Sequence, residues 1–285
     1  MAPIGLEWAE DGKLNQRHLD HYHSRTMGGG VGLVIVEHHY VSPEGKAGHR
    51  QAGVDRDNKL PGLTRLAQIF HDNGTPAILQ LSHGGSASRT ALSGCEVIAP
   101  SSVRNPCSTS TLKGEPDPIR AMEQEDIDRV IGCFVNAALL AQAAGFDGVE
   151  VHSAHGYLLD QFYSPLTNHR LDDYTGRTVE GRTLLQRQIL RRIRAAVGPD
   201  FLLAIRLGGC DYDPKGALEE DLDIAAPLLE EAGADLLDIS GGMCCFTHPG
   251  HNEPGWFAHL SRRAKKAVSI PVLLTGGIKI GRAHV

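Results

Sequence analysis

In the stretch VEVHSAHGYLLDQFYSP, residues 149–165, two histidines stand three residues apart and a tyrosine follows two further on. His152 closes an apolar run, and His155 and Tyr157 come within the next few residues, so the three side chains could converge on one point. Two imidazole N–H groups aimed at a carbonyl oxygen would polarise an activated alkene. A phenol beside them, still protonated at neutral pH because its ordinary pKa is about 10, could then deliver a proton to carbon. The same residues admit two other readings. One is a zinc pair, which needs a further ligand that only His248 or His251 offers; the other is a structural hydrogen-bond cluster.

Such a cluster needs elements that aim it. Six short apolar runs, GLVIVE (32–37), PAILQLS (76–82), DGVEVHS (147–153), FLLAIRL (201–207), DLLDIS (235–240) and PVLLTGG (271–277), read as strands. Longer helical patterns separate them, among them a helix ending at Asn73-Gly74 and one in which Ile127, Val130, Ile131, Phe134, Ala138 and Ala141 recur at i, i+3, i+4 spacing. Strand, helix, strand repeated in this way demands parallel pairing. AGFDGVEVH from Ala144 and AGADLLDIS from Ala232 echo each other 88 positions apart (232 − 144), which points to repeated βα units. GGGVGLVIVE carries its glycines before the strand, whereas an open dinucleotide fold carries them after it. The predicted fold is therefore α/β, a (β/α)8 TIM barrel, in one domain over residues 1–279. A closed barrel needs eight strands and six are visible, so the first and last are expected to lie outside this chain, with MAP as the exit of the first. Residues 280–285, IGRAHV, match a translation of ATC GGA AGA GCA CAC GTC, a sequencing-adapter stretch, and are expected to be a non-native tail.

Alternation along a barrel strand sends Val149 and Val151 to the helices and Gly148, Glu150 and His152 to the lumen. By the same rule Gln80, Ser82, Arg206, Asp238 and Ser240 face inward, and Glu37, Gln80, His152, Arg206 and Ser240 sit at the strand C-termini, where barrels keep their active sites. Arg206 needs an anion there, either Glu150 or Asp238, or a cofactor ring that becomes anionic when reduced. Gln80 offers one acceptor and two donors to the imide edge of such a ring.

Composition limits the partners. The chain has 285 residues, 41% hydrophobic and 22% charged, enough to bury a large core. Its formal charge of −6 and lack of a Lys/Arg run argue against nucleic acid or an anionic membrane and leave a small molecule. No run reaches the roughly 18 apolar residues of a membrane span, and MAPIGLEWAEDGK lacks signal-peptide features, so a cytoplasmic location is expected. Six cysteines (95, 107, 133, 210, 244 and 245) show no CxxC spacing and read as reduced thiols rather than disulfides or a zinc site. The loop GGMCCFTHPGHNEPGW (241–256) is expected to cover the substrate site, and residues 100–120 to make an excursion over the barrel mouth.

Along HSAHGYLLDQFYSPLTNHRLDDY, and with MAP, GLVIVE, ILQLSHGG, AGFDGVEVHSAHGYLLDQF, LAIRL and LLTGG in the same order, the chain resembles the Old Yellow Enzyme family of NADH:flavin oxidoreductases, the FMN-dependent ene-reductases. The resemblance implies FMN at the barrel mouth, NADH or NADPH as reductant, and hydride passed through flavin N5 to a small enone-type substrate. It also implies that Ala2, Pro3 and Ile4 line the flavin, that Glu37 or His38 touches it through the backbone, and that Gln80 binds the ring edge. Arg206 would answer charge near N1, Gly276 and Gly277 would form part of the phosphate site, His152 and His155 would hold the substrate oxygen, and Tyr157 would donate the proton. This chain supports neither a resident metal nor an iron–sulfur cluster, and a homo-oligomer stays open. Two readings compete: a metal-dependent barrel hydrolase in which His152, His155 and His248 converge on an ion, and an inactive truncated fragment.

Overall fold

The architecture comes from a computed structural model that describes residues 1–107 and 117–278. Its strands in chain order are β1 (Val34–Tyr40), β2 (Ala77–Ser82), β3 (Val97–Ala99), β4 (Ile119–Ala121), β5 (Gly148–Ser153), β6 (Leu202–Gly208), β7 (Leu236–Ser240) and β8 (Val272–Leu274). The six apolar runs of the sequence are β1, β2, β5, β6, β7 and β8, and they form one parallel sheet in that order. Among the described residues, neighbours in the sheet follow chain order without a reversal, as in a barrel wall and unlike a doubly wound sheet with its switch point. Met1 runs beside β1: its amino group donates to Leu33 O, and its carbonyl accepts the Ile35 N–H at 3.0 Å.

Alternation places the residues as their polarity demands. Val34, Val36, Leu79, Val149, Val151, Leu203, Ile205, Leu237 and Ile239 join the large outer core with the helices. Ile35, Ile78, Ala204 and Leu236 make a small separate cluster, joined by Leu33, Leu202 and Leu273, which plugs the lumen. Above this plug the strand register puts Gln80 opposite Glu150, His152 opposite Arg206, and Arg206 opposite Asp238. An apolar layer therefore carries polar rungs, and the rungs point toward the strand C-termini.

Helix Gln124–Ala144 keeps the predicted stripe, with Ile127, Val130, Ile131, Phe134, Ala138 and Ala141 all buried. Its 21 residues are long and apolar enough to cross a bilayer by length and composition, yet this face is spent on the outer core. Gly145, at φ 94°, ends the helix in a left-handed conformation that a side chain would resist, and its N–H bonds back to Gln142 O. The excursion after β2 holds β3 and β4 as a separate parallel pair, with residues 108–116 outside the described range. The expected tail, 280–285, also lies outside the described residues.

One expectation is corrected. The cysteines do not all stand as free thiols: Cys107 and Cys245 are joined in a disulfide, with Cα atoms 5.8 Å apart, while Cys95, Cys133, Cys210 and Cys244 are free. The partners are 138 residues apart in sequence, and only the folding of the sheet brings their loops together, so no local spacing announces the pair.

Candidate active site

Above the polar rungs the barrel opens into a cavity of 770 Å³, a volume suited to a cofactor with a small ligand. Its floor is a charge-balanced cluster. The Gln80 Nε2 amide donates to Glu150 Oε1 at 2.7 Å, and the Thr275 hydroxyl donates to Asp238. Arg206 Nε lies 3.4 Å from Asp238 Oδ2 and forms an ion pair without an aligned hydrogen bond, while its Nη2 donates to Ser240 Oγ at 3.3 Å. Asp238, rather than Glu150, is thus the anion that answers the buried guanidinium. Glu150 is fully buried, and burial followed by repulsion from Asp238 pushes its carboxyl up to about 8, with Arg206 and the Gln80 bond opposing. It is protonated at neutral pH, which leaves Arg206 and Asp238 as the cancelling pair.

One wall is the histidine turn. β5 delivers His152 inward, and the chain then reverses through two successive left-handed residues, His155 at φ 60° and Gly156 at φ 72°. Asp160 fixes the reversal by accepting the Gly156 N–H at 2.7 Å. The outcome is convergence. The His152 ring is 5.1 Å from the His155 ring and 5.1 Å from the Tyr157 ring, edge to face in both cases. His155 Nε2 lies 2.8 Å from Ser240 Oγ, whereas His152 Nδ1 is buried with no hydrogen-bond partner among the described residues. Burial first, then for His152 the adjoining His155 ring, and for both the Arg206 guanidinium, hold these imidazoles well below their ordinary pKa. Each is neutral at pH 7 and keeps one N–H to give.

Eleven of the twelve residues singled out from the sequence line this one cavity: Ala2, Pro3, Ile4, His38, Gln80, His152, His155, Tyr157, Arg206, Gly276 and Gly277. Glu37 does not. Its carboxylate accepts the Leu6 N–H at 2.7 Å and faces His18 Nε2 at 3.7 Å, away from the lining. A register shift in β1 between Val36 and His39 turns this end of the strand, so that His38 takes the cavity position. His38 brings its ring to this wall: Nδ1 lies 2.8 Å from Gln51 Nε2, the ring is 5.3 Å from Tyr157, and burial lowers its pKa to about 4. Gly5 makes room for it, since a Cβ there would stand 2.9 Å from His38 Nε2. Gly276 and Gly277 have Phe257 and Trp256 packed against their Cα positions, at 2.6 Å from a Cβ on Gly276, so they offer backbone to the cavity.

Sequence reasoning missed Gly5, Thr275 and Ile278 as lining residues. Phe246 and Trp256 come from the loop expected to cover the site, and both line it. His248 packs on Tyr212 at 4.1 Å and on His251 at 4.0 Å between ring centroids, outside the lining, so it is not gathered with His152 and His155. No group of three or more His, Cys, Asp or Glu side chains among the described residues is arranged to hold a metal.

The sequence profile of the NADH:flavin oxidoreductase / NADH oxidase family matches residues 1–284. The chain is 38% identical to the NADH oxidase of Thermoanaerobacter brockii, over 98% of this chain and 42% of that protein. It is 36% identical to an NADPH dehydrogenase of Geobacillus sp. (strain WCH70), over 95% of this chain and 76% of that protein. The solved structure of the old yellow enzyme homologue from Zymomonas mobilis superposes with a TM-score of 0.84 at 28% identity, covering 98% of this chain and 78% of that one. The chain therefore spans less than half of the first relative and about three quarters of the other two.

Proposed function

The chain belongs to the NADH:flavin oxidoreductase / NADH oxidase family, the Old Yellow Enzyme group with its (β/α)8 fold, and from that premise we propose that it reduces alkenes conjugated to a carbonyl, using FMN and hydride from NADH or NADPH. The observation that carries the reading is the gathering of His152, His155 and Tyr157, with rings 5.1 Å from the His152 ring, over the same cavity whose floor holds Gln80 and Arg206.

The donor set fits a flavin. Arg206, buried with an Nε that pairs with Asp238 but makes no hydrogen bond among the described residues, supplies positive charge where a reduced ring carries negative charge. Gln80 offers an amide to the imide edge, Ala2, Pro3 and Ile4 supply an apolar flank, and the backbone at Gly276 and Gly277 suits a phosphate. Bound there, FMN would supply two-electron hydride chemistry. Everything else falls to the chain. His152 and His155, neutral by burial, donate to the substrate carbonyl oxygen and draw electron density toward it. Tyr157 holds a proton on its hydroxyl beside them, for the alkene carbon that hydride does not take. Neutral Glu150 keeps an extra negative charge out of the floor, so the field of Arg206 is not cancelled twice.

The test is the double variant His152→Ala/His155→Ala. Loss of two hydrogen bonds to a bound phenolate should weaken phenol binding to the FMN-loaded protein by about tenfold or more and diminish the charge-transfer band. Unchanged phenol affinity would remove the pair from the oxygen-binding role.

A further inference from the structure

The disulfide sits on the catalytic turn. Cys107 is buried, its Sγ lies 3.3 Å from His155 O, and its Cβ is 2.9 Å from where a side chain on Gly156 would begin. Cys245 belongs to the loop over the cavity and precedes Phe246, whose ring is 6.1 Å from the His155 ring. One covalent bond therefore ties the segment beneath the His155–Gly156 reversal to the segment that puts Phe246 over it.

Two further observations set this bond apart from a structural staple. Cys245 has φ 61°, a left-handed conformation that costs a residue with a Cβ and persists only where its surroundings hold it. It is also partly exposed, whereas Cys107 is 3% exposed, so an incoming thiolate meets the Cys245 sulfur first. Neighbouring Cys244 is a poor competitor for exchange, because burial, with Asp160 and Asp211 adding, pushes its thiol up to about 12.

We propose that Cys107 and Cys245 are a thiol–disulfide modification site, with low-molecular-weight thiols and disulfides as reactants, that fixes or releases the His155 turn and the Phe246 loop. Its consequence for substrate rests on the function proposed above. On reduction a thiolate attacks Cys245 Sγ, the Cys107–Cys245 bond breaks, and the Cys107 sulfur leaves and takes a proton. A second thiolate displaces Cys245 from the mixed disulfide, so two thiols end as one small disulfide and two electrons pass to the protein. Oxidation runs the same steps backward with a small disulfide as the electron acceptor. Because the bond closes a loop of 138 residues, its loss frees the two segments from a long-range constraint.

The test uses the full chain, Cys107→Ser and Cys245→Ser, each equilibrated in reduced and in oxidised glutathione. Alkylation followed by mass spectrometry reads thiol state, and amide hydrogen exchange reads residues 150–160 and 241–256. Oxidised wild type should protect Cys107 and Cys245 from alkylation while Cys95 reacts, and should exchange both segments at least about tenfold more slowly than reduced wild type. Both variants should exchange at the reduced rate in either buffer. With FMN loaded, phenol should bind several times more tightly to oxidised than to reduced wild type. Alkylation of both cysteines under oxidising conditions, equal exchange in the two states, or equal phenol affinity would each overturn the proposal. Failure to retain FMN would count against the functional reading, and the alkylation and exchange results would still decide whether this site exists.

Discussion

Replacing Glu150 with glutamine tests the electrostatics of the cavity floor. Glutamine keeps the length of the side chain and an oxygen that can accept the Gln80 amide, now 2.7 Å away, but it removes the titrating proton. In the folded chain burial and Asp238 raise this carboxyl from its ordinary 4.5 to about 8. Below pH 4.5 the folded and unfolded chains both hold the proton and the group has no effect on relative stability. As pH rises toward 8 the unfolded chain releases a proton that the folded chain keeps, so wild type loses stability through that window. At about 1.36 kcal/mol per pH unit the ceiling is about 5 kcal/mol, and the Arg206–Asp238 pair, free to readjust, lowers the expectation to about 2–3 kcal/mol. Glu150→Gln should therefore match wild type near pH 4.5 and exceed it by that margin near pH 8. Urea denaturation across this range, with equal m-values as the control, measures the difference. Glu37, raised to about 7, titrates in both proteins and cancels in the comparison. Parallel stability curves for the two proteins would refute the assignment of a buried, neutral Glu150.

Tyr157→Phe should slow alkene turnover by about a hundredfold or more while leaving flavin reduction by NADPH intact, because only proton delivery is lost; stopped-flow measurement of the two half-reactions separates them, and equal loss in both would refute the role. Arg206→Met should destabilise the fold by about 3–5 kcal/mol, since it leaves Asp238 buried without its counter-charge. Adding Asp238→Asn should recover much of that stability but not flavin affinity, a split that denaturation and flavin titration read independently.

The strands were legible because period-two alternation reports faces directly. Val149 and Val151 could only go outward if Glu150 and His152 were to go inward, and the two cores divide along that line. Strand ends were less legible: β1 extends to Tyr40 because His39 and Tyr40 resume pairing with Leu81 and Ser82 beyond the point, Glu37, where apolarity alone ends the strand. The shift that removes Glu37 from the cavity leaves no mark in residue type, since it depends on how β1 meets β2. The partner of Arg206 was open between Glu150 and Asp238 until register settled it, with Asp238 on the arginine's own rung and Glu150 opposite Ala204. Gly5 gives no local signal at all, because its meaning is the absence of a Cβ beside a ring 33 residues on (38 − 5). The Cys107–Cys245 pair has no local signal for the same reason: loops at the mouth of a barrel are neighbours only once the barrel exists.

The visible absorption spectrum after adding FMN and removing free ligand tests the central claim most directly. The folded chain should keep a stoichiometric flavin band, and Arg206→Met should lose it. A cooperatively folded chain that retains no flavin would show that this cavity is not a flavin site.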